Sequence, residues 1–389
     1  MTTNATMKAL GRRLRLAVVG GSYGFIGPVH RVASRIDDRY EIVAGVLSSD
    51  AARGAAAAKD IGIDSARAYA SVQDMLAAER LRADGAEVVA IMTPNAYHYE
   101  ACVLSLQAGL HVICDKPLTT NLDDALRLAE LVKKSGLVFC LTHNYTGYAM
   151  VRQARAMVQA GEIGEIRQIH LNYVQGYFAT LVEADSANPG WRFDQMPDWS
   201  LVMGDIGTHA HHLGAFVSGL ELTSLMADIG PTMEGRAVDD YGGLLLRWSN
   251  GARGTMWVTN SAAGSEHGLS FRIYGSKGGL EWHQEYPNEL KHRQLNGFEV
   301  VQTRRLGGAL HPHAEHATRV EIGHPEGYQE AFATLYRDAA DAITAHITGV
   351  ETRALPYEFP TVIDGVKGVK LIASAVQSMK QQAWVNCSL

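Results

Sequence analysis

The sequence predicts a molecule in two parts: an α/β domain over residues 1–147 built on a doubly wound parallel sheet, then an α+β domain over 148–389 with a large, mostly antiparallel open sheet. Three observations predict this. From residue 14 to residue 142, short apolar runs alternate with helix-patterned stretches, the grammar of parallel strands joined by crossover helices. From about Tyr148 that alternation gives way to longer β-branched and aromatic runs at hairpin-like intervals, with Asn250-Gly251 and Ser276-Lys277-Gly278 as turns. At 389 residues and 47% hydrophobic content, the chain also exceeds the size at which a single core keeps growing.

Residues 1–13 are expected to be a disordered lead-in. The β-rich run 14–19 ends in Gly20-Gly21-Ser22-Tyr23-Gly24-Phe25-Ile26-Gly27, and 28–36 reads as a helix with Pro28 in its first turn. Strand, glycine turn and helix form the context in which backbone N–H groups approach a pyrophosphate at the positive end of a helix. The spacing departs from Gly-x-Gly-x-x-Gly, because Ser22 and Phe25 stand where glycines belong; the loop reads as lengthened, with Gly24 and Gly27 taking over. Strand 40–47 ends at Ser48-Ser49, where an acid that would bind the adenosine ribose is missing, and Arg53 follows. NAD is the expected cofactor, and NADP stays compatible with that end.

Helices are expected over 51–60 and 71–82, then a strand over 87–92 that ends in Thr93-Pro94-Asn95 with His98 beyond. Helix 97–108, strand 110–114, helix 121–135 and strand 137–142, running into His143-Asn144-Tyr145, complete the parallel sheet. In the second part, helix 151–160 precedes strands over 166–173, 244–248, 252–259, 269–274 and 278–282. A helix from about Tyr328 and a last helix over 361–382 are expected to cover one face of that sheet. The other face would remain for a homodimer or homotetramer contact.

Net charge is −6, with Lys and Arg scattered rather than clustered, so neither nucleic acid nor an anionic membrane is an expected partner. Small-molecule ligands are. Cys102, Cys114, Cys140 and Cys387 lack Cys-x-x-Cys spacing and read as reduced, buried thiols of a cytoplasmic protein. The apolar run 16–19 is too short for a signal peptide, and no run approaches the length of a membrane span.

Two stretches carry chemistry. The run 110–114 delivers Asp115-Lys116-Pro117 to a strand's carboxyl end, where open α/β sheets place their ligands. Downstream, Asp205-Ile206-Gly207-Thr208-His209 sets an acid and an imidazole four residues apart, which on a helix puts them on one face, roughly 6 Å apart at Cβ. Gly204 and Gly207 suggest that the helix starts here, with Asp205 near its amino end. Oxidising a secondary alcohol requires a group that takes the hydroxyl proton and one that stabilises the forming alkoxide. His209 titrates nearest neutrality and suits the first role, Lys116 suits the second, and Asp205 orients the imidazole or holds the substrate. Histidines 209, 211 and 212 invite a metal reading, but hydride transfer to a nicotinamide needs no metal, and none is expected.

The glycine turn, the Lys-Pro pair and the Asp-His pair, in this order, resemble the family of glucose-fructose oxidoreductase, inositol dehydrogenase and the rhizopine-catabolism protein, over nearly the whole chain. The resemblance implies a Rossmann domain followed by a domain for substrate and oligomerisation, with Lys116, Asp205 and His209 catalytic. It implies that the cofactor lies along Gly20, Ser22, Tyr23, Gly24, Phe25, Ile26, Ser48, Ser49, Arg53, Thr93, Pro94, Asn95, His98, Asp115, Lys116 and Asn144. Substrate contacts fall on Lys116, Tyr145, Trp191, Arg192, Asp205 and His209. His30 matches a histidine that such proteins often carry after the last glycine, whereas His212 stands where relatives often have Asp. The activity implied is NAD(P)-dependent oxidation of a hydroxyl on a carbohydrate substrate: a sugar, glycoside or cyclitol. The same family suggests a redox-neutral glycosidase that oxidises C3, eliminates, adds water and re-reduces, for instance on an acidic glycoside such as a sulfoquinovoside. A third reading is a non-catalytic sugar or nucleotide sensor, against which the intact Lys116, Asp205 and His209 argue.

Overall fold

The computed structural model describes residues 4–22, 24–181, 196, 198–304 and 310–389. The chain forms two compact units, Met1–Gly147 with Tyr328–Val366, and Tyr148–Gly327 with Lys367–Leu389. The second domain expected over 148–389 is interrupted, because 328–366 belongs with the first unit.

In the first unit, β1 (Leu14–Gly20), β2 (Tyr40–Val46), β3 (Val88–Met92), β4 (His111–Cys114) and β5 (Phe139–Leu141) form a parallel sheet in the order β2-β1-β3-β4-β5. Every residue of β3 and β4 is buried, which is why both read as unbroken apolar runs rather than alternating ones. The crossovers are α2 (Ile26–Ile36), α3 (Ala51–Asp60), α4 (Val72–Glu79), α5 (His98–Gln107) and α6 (Leu122–Ser135). Side chains of Asp50, Ser71 and Asn121 cap α3, α4 and α6 by accepting from a backbone N–H of the first turn.

Two expectations for this unit are corrected. The amino terminus is not a disordered lead-in throughout, since α1 (Ala5–Leu10) is capped by Asn4 Oδ1, which accepts from Met7 N at 3.0 Å, and is closed by Gly11 at φ +69°. Its buried Thr6 lies 3.1 Å from Thr344 Oγ1, and Leu10 packs on the core. The helix α10 (Tyr328–Thr348), expected over the second sheet, instead supplies Phe332, Leu335, Tyr336 and Ile343 to the core that holds Leu14, Leu16, Val18, Val88 and Ala90. Its periodicity gave the helix but carries no information about which sheet it covers.

In the second unit, α7 (Ala149–Gln159) leads into β6 (Ile166–Val174), β7 (Leu222–Gly230), β8 (Tyr241–Trp248), β9 (Arg253–Thr259), β10 (Gly268–Gly275), β11 (Gly278–His283), β12 (Glu289–Gln294), β13 (Glu299–Thr303) and β14 (Val385–Asn386). Among the described residues these nine strands make one sheet in the order β13-β12-β11-β10-β6-β9-β8-β7-β14, antiparallel except for β6 beside β9. Alternation sets its faces: Leu244, Leu246, Met256, Val258, Phe271 and Ile273 are buried, whereas Leu245, Trp257 and Tyr274 on the other side are 50%, 45% and 37% exposed. The helix α8 (Thr208–Ser218) packs on the buried face, where a Cβ at Gly214 would stand 2.8 Å from Leu171 Cδ1. The short α9 (Pro312–His316) precedes α10, and α11 (Val362–Gln381) starts in the first unit and continues in the second.

All four cysteines are buried and free. Among the described residues, no helix is long and apolar enough to cross a membrane.

Candidate active site

The first unit places its candidate residues at the carboxyl ends of the parallel strands. The strand order reverses at β1, flanked by β2 and β3, and such a switch point opens a crevice outside the strand ends. Beyond β1 the chain turns through Gly20, Gly21 and Gly24 at φ +80°, +69° and +89°. Gly27 inside α2 comes so close to the turn that a Cβ there would lie 2.0 Å from Gly21 O. This backbone-on-backbone contact seats the helix start on the turn, and Arg31 Nη1 clamps it by donating to Gly21 O at 2.5 Å. Arg31 carried no signal in the sequence.

Unlike α3, α4 and α6, α2 has no side-chain cap: Phe25 occupies the cap position, 72% exposed, with its ring 5.8 Å from that of Tyr328. An uncapped helix start behind a glycine turn leaves backbone N–H groups for an anion. Two further atoms fit a dinucleotide. Thr93 Oγ1, just past β3, and Asn144 Nδ2, just past β5, are buried without a hydrogen-bond partner in the protein, a costly state for polar groups that a ligand's ribose or amide relieves. At the end of β2, Ser48 is half-buried and Ser49 exposed. Ser48 Oγ accepts from Asp50 N, and Asp50 Oδ1 accepts from Arg53 N at 2.8 Å, so the nearest carboxylate is used as the cap of α3. Pro94 is exposed and Asn95 begins a short 3-10 turn, Asn95–Tyr97.

At the end of β4, Asp115 and Lys116 are both half-buried. Asp115 Oδ1 accepts from Lys116 N at 2.9 Å and from Thr142 Oγ1 at 2.8 Å, and His30 Nε2 lies 3.9 Å away. Burial works against its charge, but His30, Lys116 and His98 together hold the Asp115 carboxyl well below the usual range. His30 is itself fixed by Tyr336 Oη at 2.8 Å and edge-on to Phe332.

His98 departs from expectation. Its ring is buried, with Nδ1 2.8 Å from Pro117 O and Nε2 2.9 Å from Thr93 O, so neither nitrogen is left for a cofactor. Tyr145, expected to face substrate, is 5% exposed with its ring against Tyr328 at 6.2 Å.

In the second unit, Asp205 and His209 belong to one continuous helix that begins at Leu201, not at Gly204. Asp239, which no sequence pattern singled out, caps it: Oδ1 accepts from Val202 N at 2.7 Å and from Ser200 Oγ at 2.9 Å, and Oδ2 from Leu201 N at 3.2 Å. Burial pushes the Asp239 carboxyl up in spite of these bonds. The segment Met203–Gly207 is a π-helical turn, so the face-sharing expected of a regular helix holds only from Thr208 onward. Gly204 is required there, since a Cβ would sit 2.4 Å from Trp199 Cζ2.

From Leu201 to Gly214, Asp205 alone is only half-buried, while His209 is 7% exposed with its ring 6.3 Å from that of Tyr173. The His211 ring stacks on that of Trp248 at 6.3 Å, and the His212 ring lies 6.2 Å from that of Phe216. Tyr23, Trp191 and Arg192 lie outside the described residues.

Residues 14–154 match the family model described as oxidoreductase family, NAD-binding Rossmann fold, and 151–281 match the GFO/IDH/MocA C-terminal domain. An uncharacterized oxidoreductase of Bacillus subtilis, YfiI, is 35% identical over 387 residues, covering 97% of this chain and 98% of its own. The crystal structure of an inositol dehydrogenase homolog from Azotobacter vinelandii, complexed with NADH and myo-inositol, superposes with a TM-score of 0.90 at 34% identity, covering 97% of this chain and 98% of that one. The levoglucosan dehydrogenase of Pseudarthrobacter phenanthrenivorans is 27% identical over 330 residues, 77% of this chain and 79% of its own.

Proposed function

Because the chain belongs to the GFO/IDH/MocA family of NAD-binding oxidoreductases, we propose that it is a dehydrogenase using NAD to oxidise a secondary hydroxyl of a sugar or cyclitol. The observation that supports this most directly is Lys116 at the carboxyl end of β4, on the same sheet edge as the glycine turn and the two unpartnered polar atoms of Thr93 and Asn144. Bound NAD would supply the acceptor for the hydride of the carbinol carbon. His209 takes the hydroxyl proton, the Lys116 ammonium donates to the same oxygen as negative charge develops on it, and Asp205 orients the substrate or the imidazole. Trp191 and Arg192 are proposed as further substrate contacts through the resemblance.

The relatives named for inositol and levoglucosan are the reason for choosing a ring-borne polyol as substrate class. NAD is preferred over NADP, with Ser48 and Ser49 taking the adenosine ribose. The exposed sheet face with Leu245, Trp257 and Tyr274 is proposed to join copies of the chain into a homodimer or homotetramer.

Lys116→Ala and His209→Ala are each expected to lower turnover by about 10² or more while NAD binding persists, because each removes a proton-handling group and leaves the glycine turn intact. Near-normal turnover in both variants at saturating NAD would place the chemistry elsewhere. With the wild-type enzyme, NADH and a keto product should accumulate one-for-one from a polyol or sugar panel. Release of an aglycone from aryl glycosides without net NADH would replace this reading with the redox-neutral one.

A further inference from the structure

The proposed function makes no use of one buried ionisable group, His98, the first residue of α5. Each of its ring nitrogens faces a backbone carbonyl oxygen, Nδ1 that of Pro117 at 2.8 Å and Nε2 that of Thr93 at 2.9 Å. Carbonyls only accept. A neutral imidazole carries one N–H and would turn a lone pair on one of these oxygens, so satisfying both bonds requires both nitrogens protonated.

The two carbonyls belong to different loops. Thr93 follows β3 and carries an unpartnered buried hydroxyl; Pro117 follows Lys116 after β4. We propose that His98 is held as an imidazolium and is a positioning residue that ties the Thr93 loop to the backbone immediately following Lys116. This rests on the proposed function for what Thr93 and Lys116 do.

The surroundings suit a buried cation. The Cys114 thiol of β4 adjoins the ring, Cys102 of α5 lies against Cys114, and the Asp115 carboxylate faces it from the loop after β4, itself bounded by His30 of α2 and by Lys116. Burial opposes the charge, and the Cys114 thiol, which its own burial keeps neutral, supplies no anion; the Asp115 carboxylate and the Pro117 carbonyl favour the imidazolium and raise the His98 pKa. With both nitrogens occupied, the ring's influence on chemistry runs through the two backbones it joins.

Two measurements test this. In full-length protein labelled with ¹⁵N-histidine, one ring should show both nitrogens protonated at pH 7.5, and its signals should vanish in His98→Gln. A neutral tautomer for the His98 ring at that pH would overturn the proposal without any reference to turnover. Glutamine carries both of its N–H donors on a single nitrogen, which cannot reach the two carbonyls that the separate ring nitrogens serve. Folded His98→Gln should therefore lose kcat by about tenfold to a hundredfold, the scale on which small misplacements of catalytic groups act, with NAD binding weakened as Thr93 shifts. Wild-type kcat and NAD affinity in a folded variant would sink the idea, and if the variant does not fold, the ring's protonation state in the wild-type protein decides alone. An active Lys116→Ala enzyme would count against the functional reading and leave the state of His98 untouched.

Discussion

His98 and His111 sit at opposite ends of the same stretch of parallel sheet, and their surroundings drive them to opposite charge. At the carboxyl ends of β3 and β4, His98 bridges two carbonyls beside Asp115, and its pKa rises to about 9. At the amino end of β4, burial and the neighbouring His346, whose ring centroid is 4.8 Å away, press the His111 pKa down to about 4, and its Nδ1 accepts from Val138 N at 3.0 Å. One end of the sheet holds a cation and the other a neutral acceptor. The contrast follows from what each end offers: past the last ladder bond the carboxyl end leaves carbonyls and a carboxylate to be satisfied, whereas the amino end presents an N–H.

The sharpest way to break the comparison is through the glycines at each end. Gly27→Ala would drive a Cβ to 2.0 Å from Gly21 O, whereas Gly136, which closes α6 ahead of β5 at φ +68°, has nothing within 4 Å of a Cβ. The first substitution should abolish NAD binding, with a loss of several kcal/mol if the protein still folds. The second should cost about 1 kcal/mol for the left-handed conformation and leave NAD affinity unchanged. Calorimetric NAD titrations alongside urea melts distinguish them, and equal affinity in both variants would erase the functional asymmetry.

A second test uses pH. His98 has a folded pKa above its unfolded value of 6.5, so its contribution is complete below pH 6.5 and is lost as pH rises through about 9. His111 has a folded pKa below 6.5, so its contribution is present above pH 6.5 and is lost as pH falls through about 4. Each amounts to at most about 3 kcal/mol. Urea midpoints should decline on both sides of neutrality, the alkaline decline flattening in His98→Gln and the acid one in His111→Asn. An alkaline limb that survives unchanged in His98→Gln would assign it to another group.

The smallest expected effect sharpens the account of the carboxyl end of β2. Ser48→Asp should widen the preference for NAD over NADP by roughly 1 to 3 kcal/mol, as a carboxylate meets the 2′-phosphate. Unchanged dissociation constants for both cofactors would show that Ser48 does not touch the ribose.

Much of the functional edge was legible because it is local. A strand, a glycine turn and a lysine after an apolar run each lie within a dozen residues, and the parallel sheet follows from their alternation. The misses share a different cause. Asn4, with Gly11 seven residues on, is a readable cap pair, but α1 owes its place to Thr344 and the core, far along the chain. Asp239 caps a helix 37 residues upstream, which no spacing rule reaches. The π-helical turn differs from an α-helical one by a shift of hydrogen-bond partner that leaves no mark on residue type. β12, with only Leu290 and His292 buried, is too polar to read as a strand. The role of His98 required knowing which two carbonyls surround it.

The placement of α10 bears on how the chain is made. Met1–Gly147 emerges first from the ribosome, yet its core is closed by Phe332, Leu335, Tyr336 and Ile343. At roughly 5–20 residues per second, synthesis leaves that core open for on the order of ten seconds or more after β5 has appeared. During that interval the second unit's sheet is being synthesised while the first unit is unfinished. Nascent chains should therefore stay protease-sensitive in the first unit until residues beyond 343 are outside the tunnel, and a fragment ending at residue 147 should be an aggregation-prone partial fold rather than a free-standing nucleotide-binding domain.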